Sequence, residues 1–428
     1  MLRPWLTWLK IGKLAKYKLF VKLINMSFIY KQGKIPPTPH TEFYSEEGVL
    51  ALEEIHGSQG FGGPWSRKLH YRCYPTEQKS QPVNADFSMP DNPIDIKVLE
   101  PYVIQTGKIP FEGNALSSRK ILIAGNNTRI GVAKFTESMK DDSFFRNGEM
   151  HELLFIQDGN GILKTDFGNL NFKKNVYVVI PKGTTYRIEL ESKKCFIFSI
   201  ESKRLIDWPK HYLNSAGQAH MSAPIVETEI DTPVLQKPID QEGSYPIYVQ
   251  HNRGMITKLE LDHHPFDVIG WEGSLYPFVF DIKNHHGIAR AIHVSPPAHQ
   301  TFESGDIPNG GFAVCSFVPQ PNGWHEKEVP APYAHYNIDS DEVMFFANTD
   351  YGPRKDILEE GTLTFHPSGT PHSPHGKAAA KSLSSRGKMS NRLAVMMDTF
   401  MEDLYITSVG WDYRDKEYAT SWHKAKNK

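Results

Sequence analysis

Two stretches of this chain repeat one another, and that repeat limits the fold more than any other feature. FRNGEMHELLFIQ (145–157) lies over HYNIDSDEVMFFA (335–347), which puts Asn147 on Asn337 and Glu152 on Glu342, each glutamate followed by an apolar run. Farther along, IPKGTTY (180–186) lies over HPSGTPH (366–372). Pro, Gly and Thr coincide there, and Tyr186 stands where the second copy has His372. Two matched pairs in the same order argue for two copies of one unit.

The unit reads as β structure. Short runs rich in Val, Ile, Phe, Tyr and Thr, such as KNVYVVIPKG, KCFIFSI, YPFVFDI, GFAVCSFVP and RLAVMMDTF, are broken by Gly, Pro, Asn and Asp. Helix-period stretches of useful length are scarce, so the expected fold is an all-β sandwich or jelly roll, present twice. At 428 residues the chain is long for a single core, and two domains are the natural division. The expected domains are a basic extension at 1–25, a first β domain at 26–245 and a second at 246–428.

The extension carries six basic and no acidic residues among Trp, Leu and Ile. That pattern suits an amphipathic presequence or interfacial helix, but lysines interrupt it too often for a membrane span. The favoured reading is an upstream extension, with the protein proper starting at Met26. A net charge of −1 gives no reason to expect a nucleic-acid partner. The three cysteines, Cys73, Cys195 and Cys315, form no CxxC pair and read as reduced thiols of a cytoplasmic protein, two of them in apolar runs.

The copies differ in their polar groups. Phe145 and Tyr186 of the first correspond to His335 and His372 of the second, so two imidazoles and one carboxylate, Glu342, survive together only in the second half. Two histidines and a carboxylate on one face of an octahedron suit non-haem Fe(II), with three positions left open; zinc is the alternative. His366 and His375 flank His372, and either could be an outer partner or the ligand itself. His293 and His299 read as core or rim residues, and Tyr351 as a strand-end aromatic. The doublets His263–His264 and His285–His286 look exposed and receive no chemistry.

These residues resemble a known family, homogentisate 1,2-dioxygenase, in its bacterial-type branch. PFDVIGWEG (265–273), IHVSPPAHQTFE (292–303), CSFVP (315–319), HYNIDSDEV (335–343), HPSGTPHSPHG (366–376) and LAVMMDTF (393–400) carry the likeness in the second half. GKIPPTPHTEF (33–43) and ELLFIQDGNGILKTDFG (152–168) carry it in the first. The resemblance implies two cupin-like jelly-roll domains and one mononuclear Fe(II) on His335, Glu342 and His372. It also implies His293 as the active-site base, Tyr351 near the substrate carboxylate and His366 as a further pocket histidine. A trimer or hexamer, a small aromatic substrate with O2, and a place in tyrosine and phenylalanine catabolism follow from the same likeness. The sequence departs from the family at Tyr336 and in HSPHG, which keeps His375 open beside His372 and His299 open beside His293. Rival readings are a ring-cleaving enzyme for 3-hydroxyanthranilate or gentisate, a non-catalytic metal-binding bicupin and a zinc sugar isomerase. GKAAAKSLSSRGKMSN (376–391) reads as a loop or lid, with Lys377 and Lys381 able to steer an acidic substrate.

Overall fold

The computed structural model describes residues 28–72, 78–83, 91–215, 217–286, 299–305, 310–322, 325–350, 358–374 and 378–426. The extension, Cys73, His293, Tyr351, His375 and Lys377 lie outside them.

Three large sheets stack in the order first outer, central, second outer. The central sheet has eight strands, ordered Ile230–Asp231, Phe278–Asp281, Val176–Ile180, His151–Asp158, Cys195–Ser202, Thr128–Phe135, Arg119–Ala124 and Tyr405–Ile406. Strands of this sheet alternate their side chains between two apolar layers. Leu154 and Ile156 point into a cluster with Phe145, Tyr186 and Ile188 of the first outer sheet. Leu153 and Phe155 point the other way, into a cluster with Phe302, Val343, Phe345 and Val395 of the second outer sheet. Both faces are therefore dry, which explains why KCFIFSI and KNVYVVI read as nearly continuous apolar runs instead of alternating ones. Phe345 lies flat on Phe198, with ring centroids 4.4 Å apart at 7°, and Phe155 and Phe196 meet it edge-on.

Two all-β units thus stand back to back. The central and first outer sheets form one sandwich. The second outer sheet turns one face to the central sheet and the other, bearing Glu342, toward the segments around His335, His372 and Tyr418. The units also exchange strands. Tyr102–Ile104 forms an edge of the second outer sheet, and Tyr405–Ile406 an edge of the central one. The expected boundary between 245 and 246 falls inside the strand Glu242–His251, which pairs with Phe144–Asn147 in the first outer sheet.

A fourth, four-stranded sheet (Tyr30–Gly33, Val268–Gly273, Trp65–His70, Leu52–Gly57) carries a set of buried charges, of which the Lys68–Asp166 pair ties it to the first outer sheet. Lys68 reaches Asp166 at 2.7 Å and Glu54 at 3.0 Å, and His70 is held between Glu54 (2.8 Å) and Asp267 (2.7 Å). Burial disfavours the His70 cation, but hydrogen bonds to Asp267 and Glu54 outweigh it and raise the imidazole to about 9. The folded value lies above the unfolded one, so this stabilisation is complete below about pH 6.5 and is lost as pH rises through about 9. Chemical denaturation between pH 6 and 9.5 is expected to show that loss, on the order of 3 kcal/mol at most. A His70→Asn variant should lack the slope; an unchanged slope would show that other groups carry it.

Among the described residues no helix is long and apolar enough to cross a membrane. Cys195 and Cys315 are both buried. His285, expected at the surface, is only 1% exposed, bonded through Nδ1 to Thr301 at 3.3 Å.

Candidate metal centre

The site is assembled by one strand end and one turn. Glu342 opens the strand Glu342–Phe346, whose alternation sends Val343 and Phe345 into the inter-sheet core and Glu342 to the opposite face. His335 and His372 are joined by a two-way backbone bridge, with the His335 amide donating to the His372 carbonyl at 3.0 Å and the reverse bond at 2.9 Å. Gly369, at φ 74°, donates its amide to the Asn337 carbonyl at 2.7 Å; the left-handed turn it makes suits glycine. Buried Asp341 clamps both sides, accepting from the amides of Ser368 (2.7 Å) and Leu404 (2.6 Å).

His335, Glu342 and His372 each offer one donor atom, all within 4.8 Å of one another. The outer nitrogens settle which atoms face inward. His335 Nδ1 lies 2.9 Å from the Tyr333 carbonyl and His372 Nδ1 lies 3.1 Å from the Thr370 carbonyl, so both Nδ1 atoms carry the proton. Each Nε2 then presents a lone pair, 3.8 Å (His335) and 3.5 Å (His372) from the nearest Glu342 oxygen. Two such atoms facing one another make no hydrogen bond, and among the described residues His372 Nε2 is buried without one. Lone pairs and a carboxylate converging on one point repel unless a cation lies between them. Metal-binding histidines commonly tie the outer N–H to a backbone carbonyl in this way, and this donor set fits one divalent ion.

His366 stands behind the carboxylate. Its Nδ1 is 3.0 Å from Glu342 Oε1, its Nε2 is 3.1 Å from the Tyr418 hydroxyl, and its ring stacks on His372 at 3.9 Å and 9°. Burial pushes the Glu342 carboxyl up, while the hydrogen bond it accepts from His366 Nδ1 opposes that and favours the carboxylate. Asp398, across the ladder from Glu342, is pushed up to about 7 by burial and then by the neighbouring Glu342 charge. Sequence reasoning passed over Asp398 and Tyr418. LAVMMDTF reads as a core strand, and a single tyrosine in a polar C-terminal stretch carries no pattern. His299 is buried and packs on Phe317, with ring centroids 4.7 Å apart and the rings tilted by 30°. Lys381 is exposed on the short helix Ala378–Ser382.

Comparison with known proteins follows the same division of the chain. The family model described as homogentisate 1,2-dioxygenase N-terminal matches residues 122–282, and the one described as homogentisate 1,2-dioxygenase C-terminal matches 291–428. The chain belongs to the homogentisate 1,2-dioxygenase family. A relative from Saccharolobus solfataricus, named "Putative dioxygenase SSO1533", is 31% identical over 408 residues, spanning 93% of this chain and 100% of the relative. The homogentisate 1,2-dioxygenase of Legionella pneumophila is 23% identical over 388 residues, spanning 86% of this chain and 88% of its own length. Among solved structures, a variant of salicylate 1,2-dioxygenase from Pseudoaminobacter salicylatoxidans in complex with gentisate aligns at 10% identity and a TM-score of 0.31. That alignment covers 75% of this chain and 89% of that one.

In this member of the homogentisate 1,2-dioxygenase family the first copy keeps the backbone frame of the second without its two histidines. Phe145 pairs with Tyr186 as His335 pairs with His372. Gly183 donates to the Asn147 carbonyl at 2.9 Å, matching the bond from Gly369 to Asn337 at 2.7 Å. His151 Nδ1 accepts the Lys182 amide at 3.0 Å, where Asp341 accepts that of Ser368 at 2.7 Å. Ile180 and Glu201 flank Glu152 as His366 and Asp398 flank Glu342.

In place of ligands, the first copy holds a guanidinium. Arg119 Nη1 sits 2.5 Å from Glu152, Nη2 donates to the Tyr186 hydroxyl at 2.8 Å, and Glu201 is 3.6 Å away. The guanidinium carbon lies 5.5 Å from the centre of the Phe145 ring. A fixed organic cation thus neutralises Glu152. Arg119 escaped sequence reasoning because it lies outside both matched segments.

Proposed function

We propose that this chain is an Fe(II)-dependent ring-cleaving dioxygenase that converts homogentisate and O2 to maleylacetoacetate. The observation that carries the reading is the facing set of His335, Glu342 and His372, with both Nδ1 atoms tied to carbonyls and both Nε2 atoms turned inward. Two nitrogens and one oxygen suit a ferrous ion and leave coordination positions for two reactants. When bound, such an ion supplies the redox chemistry that lets O2 react with an electron-rich ring.

The protein's own part is to hold and to exclude. The carboxylate fixes the charge of the donor set, His366 and Asp341 immobilise its strand and turn, and the segment around Tyr418 covers the buried side. Carried over from the family resemblance, His293 is the base that takes the ring-hydroxyl proton and Tyr351 meets the substrate carboxylate. Tyrosine and phenylalanine catabolism, a cytoplasmic location and a homo-oligomer belong to the same proposal. Glu342 speaks against a gentisate-type centre, which uses three histidines.

Oxygen uptake tests the reading. Apo protein reconstituted anaerobically with Fe(II) is expected to consume one O2 per homogentisate and to prefer it at least tenfold in kcat/KM over gentisate and 3-hydroxyanthranilate. Preference for another member of the panel would reassign the substrate. Zinc retention without uptake on any of the three would favour a non-catalytic bicupin.

A further inference from the structure

The C-terminal segment reaches into the metal centre through one hydroxyl. Tyr418 is 1% exposed and packs with Val103, Phe346 and Leu358. Its hydroxyl lies 3.1 Å from His366 Nε2, while His366 Nδ1 lies 3.0 Å from Glu342 Oε1. Direction along this chain is fixed by chemistry. A carboxylate can only accept, so Nδ1 carries the proton; Nε2 of the neutral ring is then an acceptor, and the tyrosine O–H is its donor. The same segment holds the other ligand. Trp422, 5.0 Å from the Tyr418 ring, donates its indole N–H to the Ser373 carbonyl at 3.0 Å, one residue beyond His372.

We propose that Tyr418 is a positioning residue of the metal centre: through His366, which donates to Oε1, it fixes the rotation of the Glu342 carboxylate between His335 and His372. Without the hydroxyl, the His366 ring loses the anchor at Nε2 and can rotate with the Glu342 carboxylate it donates to, although the ring stack on His372 remains. The hydroxyl therefore acts on ion affinity and ligand geometry, while the tyrosine ring does the packing. The inference rests on the reading of His335, Glu342 and His372 as ligands.

Tyr418→Phe separates the two contributions, because phenylalanine keeps the ring. Full-length apo protein is titrated with Zn(II) against a chromophoric chelator and with Co(II) by visible absorption, and the apo thermal midpoint serves as the folding control. Outer partners of ligands commonly contribute 10–100-fold to affinity. The expected result is a Zn(II) affinity at least tenfold weaker, an altered Co(II) spectrum and an apo midpoint close to wild type. In a His366→Asn background, where the amide keeps a donor toward Glu342 but offers nothing to Tyr418, the Phe substitution should add no further loss. Wild-type affinity and spectrum in Tyr418→Phe, or a loss additive with His366→Asn, would overturn the inference. Retention of the ion by Glu342→Ala would instead remove the ligand reading on which it stands.

Discussion

Glu342→Ala is expected to lose bound metal and ring-cleaving activity together. The substitution removes the only carboxylate among the three donors and leaves two neutral imidazoles with no charge to balance a divalent ion. It also strands His366, whose Nδ1–H loses its acceptor 3.0 Å away. Affinity for Zn(II) should fall by at least a thousandfold, so the purified variant should carry well under one-tenth of the wild-type metal content by elemental analysis. Oxygen uptake with homogentisate should drop to background even with excess Fe(II). Stability should change far less, because the glutamate sits at the start of its strand and the core beneath it is made by Val343 and Phe345. A variant that keeps stoichiometric metal would show that the ion is held elsewhere.

Arg119→Met is expected to have the opposite signature, with large destabilisation and an intact second site. The guanidinium is buried and meets Glu152, Glu201 and the Tyr186 hydroxyl. Burial, opposed by Arg119 and reinforced by the Glu152 charge, sets Glu201 above the usual carboxylate range, so this pocket tolerates little more negative charge. Taking away one partner of a buried ion pair leaves an uncompensated charge, which costs about 3–5 kcal/mol. Denaturant titration should show a loss of that size, while Zn(II) binding by the protein that remains folded stays near wild type. Adding Glu152→Gln to Arg119→Met should recover part of the loss by removing the stranded charge. If the single variant proves as stable as wild type, Arg119 is not what neutralises the first copy.

Much of this was legible because the repeat preserved backbone roles as well as residue types. Asn147 and Asn337 both accept from the turn glycine, and Glu152 and Glu342 occupy the same register, so aligning the two segments located the second site. Residues defined by what packs against them were harder to see. His285 stands in a polar-looking doublet, yet it is buried against Thr301, since a loop sequence does not reveal which side faces the core. Arg119 and Tyr418 reach their partners across sheets and segments far apart in the chain, and no local spacing announces such contacts. The strand Glu242–His251 defeated the domain boundary for a related reason. Its alternation fits either half, and only its pairing with Phe144–Asn147 assigns it to the first outer sheet.

The doubly covered middle sheet bears on why a copy without ligands persists. Phe198 and Phe155, from the ligand-free copy, form the floor on which Phe345 rests, and Phe345 lies three residues beyond Glu342. Deleting the silent copy would strip that floor away and leave a broad greasy face exposed to water, so neither half should survive expression alone. Its retained duty is to be the foundation of its twin.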